Sequence, residues 1–183
     1  MPEIRNYETP DEKSWLRCRV LAFLDTCYYD DVWTKRPTDS QIQLVAAEGA
    51  DVVGILDVCI QDELATIDTV CVHPNHQHRG IGTALLAEGM RRLPATVTTL
   101  DAWTREDPDT LAWYRSRGFG ESDHYLHVYK GWNEPGGDGW SSPAPLSGPL
   151  LAYCQASLEH EAQLRATYER VYVCRRFSQP IMR

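Results

Sequence analysis

The sequence predicts an α/β domain, and three observations carry that reading. Runs of β-branched and aromatic residues alternate with stretches whose apolar residues recur at helical spacing. Two of the runs, Ile42 to Ala47 and Val52 to Ile60, flank Glu48-Gly49-Ala50-Asp51, the pattern of a hairpin. A third, Leu64 to Val72, passes through a glycine-bearing turn straight into an amphipathic helix.

In chain order, Thr9-Pro10-Asp11 opens a helix over Asp11 to Thr26, with Trp15, Leu16, Val20, Phe23 and Leu24 on its apolar side. The aromatic and acidic stretch from Tyr28 to Trp33 reads as a loop or short helix. After the hairpin, the period of two places Thr66, Asp68, Val70 and Val72 on one face of the strand Leu64 to Val72. Ile81, Leu85, Leu86, Met90 and Leu93 mark a helix that Pro94 stops. A strand over Thr96 to Trp103 follows, then a helix over Asp109 to Arg117 closed by Gly118, then a strand from Tyr125 to Lys130. Residues 131–149 are rich in Gly, Pro and Ser and read as a loop insertion before the last strand. Residues 150–183 are read as a C-terminal helix, with Glu161 and Arg165 paired at i, i+4, and a strand over Val171 to Phe177.

The 183 residues suffice for one domain with a sizeable core, so residues 1–183 are expected to form a single domain. No stretch approaches the roughly 20 apolar residues that span a bilayer, and the start of the chain lacks a secretory pattern. The expected location is cytoplasmic, with no membrane partner. Acidic residues outnumber basic ones by 26 to 18, a net charge of −8 that disfavours nucleic acid and suits a cationic small molecule. Cys18, Cys27, Cys59, Cys71, Cys154 and Cys174 are scattered without metal or disulfide spacing and are expected as reduced thiols. His73, His76 and His78 cluster without a flanking cysteine or carboxylate at zinc spacing, so no metal is expected.

The chemistry concentrates in Val72-His73-Pro74-Asn75-His76-Gln77-His78-Arg79-Gly80-Ile81-Gly82-Thr83, which joins strand to helix. Such a turn leaves backbone N–H groups unpaired at a helix start, where the helix dipole adds positive character. A pyrophosphate suits it. Charge-assisted hydrogen bonds of about 1.5–3 kcal/mol each, with Arg79 added, reach the roughly 8 kcal/mol of micromolar binding. A dinucleotide fingerprint requires a third glycine where Leu85 stands, and the Gly-Lys-Ser/Thr of a P-loop is absent.

The residues that remain fit V-x-P-x-x-Q-x-x-G-x-G from Val72 to Gly82, and with them the chain resembles the GNAT superfamily of acyl-CoA N-acetyltransferases. A second signature of that superfamily, N-x-x-A-x-x-F-Y-x-x-x-G-F, falls on Asp107, Thr110, Trp113, Tyr114, Gly118 and Phe119. Tyr114, Gly118 and Phe119 match it; the other three are substitutions. The resemblance covers roughly residues 10 to 130. It implies a mixed, largely antiparallel sheet flanked by helices and opened between two central strands, with acetyl-CoA as co-substrate and direct transfer to a primary amine in a ternary complex. It places the pyrophosphate on Gln77, His78, Arg79, Gly80, Ile81, Gly82 and Thr83. The pantetheine arm falls on backbone groups of Cys71 and Val72, and a further cofactor contact on Asp107.

An amine with a pKa near 10.4 is almost wholly protonated at neutral pH, so attack on a thioester requires a base. Asp68 is the first candidate, with Thr66, Asp57 and Asp101 as alternatives. Tyr114 is the candidate acid for the leaving thiolate. Tyr28, Tyr29, Asp30, Asp31 and Trp33 form either an anionic, aromatic mouth for a cationic small-molecule acceptor or an acidic loop that packs its rings on the core. Trp132 and Trp140 are either a lid over the acceptor or staples for the insertion. Rival readings are a non-catalytic acyl-CoA-binding module and a transferase acting on a protein amine. Homodimerisation stays open.

Overall fold

A computed structural model describes residues 2–136 and 141–182, and Trp140 lies outside them. Eight strands form one mixed sheet: β1 (Glu3–Asn6), β2 (Ile42–Glu48), β3 (Asp51–Gln61), β4 (Leu64–Val72), β5 (Thr99–Thr104), β6 (Gly120–Gly131), β7 (Leu151–Ala156) and β8 (Arg170–Pro180). Their spatial order is β1-β2-β3-β4-β5-β8-β6-β7. Every neighbouring pair is antiparallel except β4 and β5, which run parallel.

Helices cover both faces. On one, α1 (Glu12–Phe23) sets Trp15 and Cys18 against Val45, Val52, Ile55 and Cys71. On the other, α2 (Ile81–Arg92) and α3 (Pro108–Ser116) bury Ile81, Leu85, Leu86 and Tyr114 against Leu44, Leu56, Ala102 and Phe177. The short α4 (Glu161–Thr167) brings Leu164 onto Val128, Val171 and Val173, and its Glu161–Arg165 pair forms at 2.8 Å. Among the described residues no helix is long and apolar enough to cross a membrane.

The hairpin, β4, α2 and α3 stand where their periodicities predict them. Three features differ. A bulge in β4 leaves Asp68 without a partner, since Asp57 pairs with Thr69 and Val58 with Ile67. The extra residue reverses the alternation, so that Ala65 and Ile67 share the α2 face with Val70 and Val72. Thr66 therefore does not share a face with Val70 and Val72, because strict period two holds only in an unbulged strand. The tail carries a strand that its pattern did not signal: β7 is an edge strand with Leu151 and Tyr153 exposed, so it lacks a buried, β-branched run. The last strand, β8, is interior and bonds β5 on one side and β6 on the other.

The approach of α2 to the sheet depends on Gly89. A Cβ there would overlap the side chain of Leu56, itself fully buried, while at Gly54 it would lie 2.8 Å from Ile81. Gly→Ala in a helix ordinarily stabilises by about 1 kcal/mol. Here overpacking of about 1–3 kcal/mol opposes that gain. Gly89→Ala is expected to lower the urea midpoint, and Leu56→Ala in the same chain to cost less than it does alone.

Candidate active site

The site begins where β4 leaves β5. Their parallel pairing runs from Leu64 opposite Thr99 to Ile67 opposite Ala102 and stops there, at the Asp68 bulge. Beyond it Val70, Cys71 and Val72 still pair with β3, and the edge that faced β5 has no strand against it. A gap therefore opens between two central strands, lined by free strand edge.

Past Val72 the His73 N–H donates to the Val53 carbonyl at 2.9 Å and holds the chain to the sheet. A 3-10 turn over Pro74–His76 follows. The Gln77 side-chain amide donates back to the Val72 carbonyl at 3.2 Å, which braces the turn. His78 (φ +59) and Gly80 (φ +77) are left-handed, and α2 starts at Ile81. Glycine meets that backbone requirement at Gly80 and brings no side chain to cap the helix. The first intrahelical bond runs from Ala84 N–H to the Gly80 carbonyl, and no side chain caps the helix start ahead of it. Gly82 faces a narrow space: a Cβ there would touch Val72 at 3.6 Å and Trp113 at 3.7 Å, between β4 and α3.

Cations gather around this turn. Arg79 is exposed and lies 3.7 Å from Glu48, which also lies 3.6 Å from His76. Arg117, at the end of α3, donates to the Thr83 hydroxyl at 3.3 Å, and beside it runs a shallow groove of about 310 Å³ between α2 and α3. Sequence reasoning passed over Arg117 because nothing in a local pattern connects the end of one helix with the start of another 34 residues earlier.

Tyr114 packs into the core beneath α3. It is 3% exposed, stacked on Phe177 at 5.5 Å and edge-on to Phe119 at 5.3 Å. Burial pushes its phenol well up, and Tyr28 and Asp101 add to the rise. Asp68 is exposed on the bulge and accepts from the Thr69 hydroxyl at 3.2 Å. Of the alternative bases, Asp101 is buried against Arg176 at 2.5 Å, and Asp57 is buried against Arg36 at 2.9 Å. The Cys71 thiol is raised by its hydrogen bond with Cys18 and by burial.

The segment after α1 forms a roof tied down by its own charges. Arg19 holds the Asp31 carboxylate and carbonyl, both at 2.7 Å, and lies over the Trp33 ring at 3.3 Å. Asp30 pairs with Arg170 at 2.8 Å, and that guanidinium lies over Tyr29 at 4.8 Å. Tyr28 packs beneath, its hydroxyl accepting from the Arg105 N–H at 3.0 Å. Asp107 sits at the cap of α3, yet its carboxylate accepts from the Cys27 N–H at 2.9 Å and anchors the roof. The structure thus gathers Asp68, Cys71, Val72, the turn and Gly82 around one gap, buries Tyr114 in the core beneath α3, and commits Asp30, Asp31, Trp33 and Asp107 to holding the roof.

Sheet, parting and open helix start together form a gap edged by unfilled hydrogen-bonding groups, an arrangement that suits a phosphate-bearing ligand. Residues 39–121 match the family model of the acetyltransferase (GNAT) domain. A search of curated proteins finds no match. Among solved structures, the ribosomal-protein-S18-alanine N-acetyltransferase from Escherichia coli aligns over 100% of this chain and 96% of its own, at TM-score 0.63 and 17% identity. PaiA N-acetyltransferase from Thermoplasma acidophilum, in complex with coenzyme A, covers 67% of this chain and 92% of its own, at TM-score 0.57 and 15% identity. YncA from Salmonella typhimurium with its cofactor acetyl-CoA covers 100% and 95%, at TM-score 0.57 and 16% identity. At these identities the likeness is one of fold.

The buried Asp57 generates a test. Burial raises its carboxyl to about 6 from 3.8, against the pull of Arg36, and the charge of Asp68 adds to the rise. Between these values the folded chain holds more proton than the unfolded one, so stability contributed by Asp57 falls as pH rises through that window. Urea unfolding at about pH 4.5 and about pH 7 should show a smaller pH dependence in Asp57→Asn. An unchanged slope would assign the titration elsewhere.

Proposed function

We propose that the chain transfers an acetyl group from acetyl-CoA to a primary amine in a ternary complex. The observation that carries this reading is the conjunction of two openings: the uncapped start of α2 lies beside the gap between β4 and β5. Under this reading the pyrophosphate takes the free N–H groups from Gly80 to Thr83, lined by Gln77, His78, Arg79 and Ile81, with Arg117 adding positive charge. The free edge at Cys71 and Val72 hydrogen-bonds the pantetheine amides in strand fashion. Asp107 accepts from the Cys27 N–H and is hydrogen-bonded with the Cys27 thiol, so a contact with the donor shares its carboxylate with the roof. The coenzymes carried by two structural neighbours support acetyl-CoA as the co-substrate.

In the reaction the amine nitrogen forms a bond to the thioester carbonyl carbon and the carbon–sulfur bond breaks. Asp68, exposed at the parting, takes the proton the amine must lose, directly or through one water. Tyr114 meets the leaving sulfur as an O–H donor, since burial holds the proton on its oxygen. An acidic mouth for a cationic acceptor draws no support from Asp30 and Asp31, whose carboxylates are both bonded to arginines.

The first test is release of CoA thiol from acetyl-CoA with and without pooled amines; amine-dependent release is expected, and coenzyme binding without release would favour a binding module. Tyr114→Phe should lower kcat by about 10²-fold or more while leaving CoA affinity within about twofold. Arg79→Glu should weaken CoA binding at least about tenfold by calorimetry through charge reversal at the phosphates. Retained affinity would remove the turn from the donor site.

A further inference from the structure

On the α1 face of the sheet, beyond the parting, Arg105 is 5% exposed and has no carboxylate within ion-pair distance among the described residues. Its partners are neutral: the Cys27 carbonyl, the Tyr129 hydroxyl and, at 3.3 Å, Nδ1 of His127. Tyr28, Tyr129 and Tyr172 present their rings to the guanidinium at 4.2, 5.3 and 5.3 Å. Asp30, the carboxylate that feels this charge, is bonded to Arg170. A buried cation without a counter-ion is costly, and it polarises whatever hydrogen bonds lead away from it.

Those bonds have a fixed direction. A guanidinium only donates, so Nδ1 of His127 must accept and the ring proton sits on Nε2. Burial and then Arg105 lower this imidazole to about 4, so it is neutral. Nε2–H therefore donates to the Tyr125 hydroxyl at 2.7 Å, and the Tyr125 proton must point away, toward Tyr153 and Cys174, the groups that bear on its phenol. Tyr153 meets His127 edge-on at 4.7 Å and is half-exposed, while Tyr125 packs on Trp103 at 5.1 Å, one residue past the last β4–β5 rung. Charge and donor direction thus run from Arg105 through His127 and Tyr125 to the buried Cys174 and to Tyr153, which is half-exposed.

We propose that Tyr125 and Tyr153 bind a carboxylate of the acceptor, so that the acceptor class is an amine bearing a carboxylate several bonds from its nitrogen, with His127 and Arg105 as positioning residues. This rests on the transferase reading. The spacing follows from the sheet: Tyr125 and Tyr153 stand two and three strands beyond β5, about 10 and 14 Å at about 4.8 Å per strand, and a hydrogen bond spans part of that, so amine and carboxylate lie on the order of 10 Å apart. A carboxylate fits where a bare ammonium does not, since the Tyr125 oxygen already accepts from His127 and offers a ligand its proton, which Tyr153 and Cys174 hold in the free protein, and the nearest buried charge is positive.

The test is direct binding to the whole protein at saturating CoA, by calorimetry, of 6-aminohexanoate, glycine and n-pentylamine. We expect 6-aminohexanoate to bind at least about tenfold more tightly than either other amine. Tyr125→Phe should remove most of that preference without changing n-pentylamine binding or the circular dichroism spectrum. His127→Gln, which can still accept from Arg105 and donate to Tyr125, should retain more of the preference than His127→Leu. Equal affinity for 6-aminohexanoate and n-pentylamine, or equal losses for both in Tyr125→Phe, overturns the proposal. Failure of the transferase reading is read separately, as absence of amine-dependent thiol release from acetyl-CoA.

Discussion

The parting of β4 from β5 is the constraint on which the rest of this molecule depends. Four rungs of parallel pairing hold the two strands together, and a single unpaired residue at Asp68 ends the pairing. Past that point the backbone groups of β4 on one side have no strand partner, and a polar edge left open in a protein must be met by water, a side chain or a ligand. The uncapped start of α2 adds unpaired donors a few residues later. Two sets of unfilled hydrogen-bonding groups thus converge on one gap, and the surrounding core, from Gly89 over Leu56 to Tyr114 on Phe177, keeps them in place.

Much of this was legible from local chemistry. Gly80 and Gly118 stand at positive φ where the turn and the helix end required it, and Pro94 and Pro74 end the elements they were expected to end. The strand from Leu64 to Val72 has the bounds its composition indicated. What escaped was set by partners distant in sequence. The bulge arises from the register of β4 on β3, which a single strand does not encode. β7 owes its state to pairing with β6 and was hidden by its exposed leucine and tyrosine.

The same distinction holds within the site. Turn residues declare themselves through glycine spacing, because the requirement is local. Asp30 and Asp31 read as free acids from sequence, yet Arg170 and Arg19 take up their charges from 140 and 12 residues away. Asp107 reads from the resemblance as a cofactor contact, and in the fold its carboxylate accepts from the Cys27 N–H. Charge in a sequence is therefore a poor guide to charge presented to a ligand, since burial selects which ions remain unpaired. Arg105 is the converse case, an unremarkable residue in sequence whose lack of an ion pair among the described residues exists only in three dimensions.

The interior position of β8 also bears on how the chain is made. β5 and β6 are synthesised well before β8, and neither pairs with the other until β8 inserts between them. On the ribosome the sheet is consequently two unjoined halves, each presenting an open edge, and cooperative closure waits for residues of high sequence separation. The proposed acceptor face spans that seam: Trp103 belongs to one half and Tyr125 to the other. A nascent chain can thus assemble the donor turn early but forms the face opposite it only when the last strand docks.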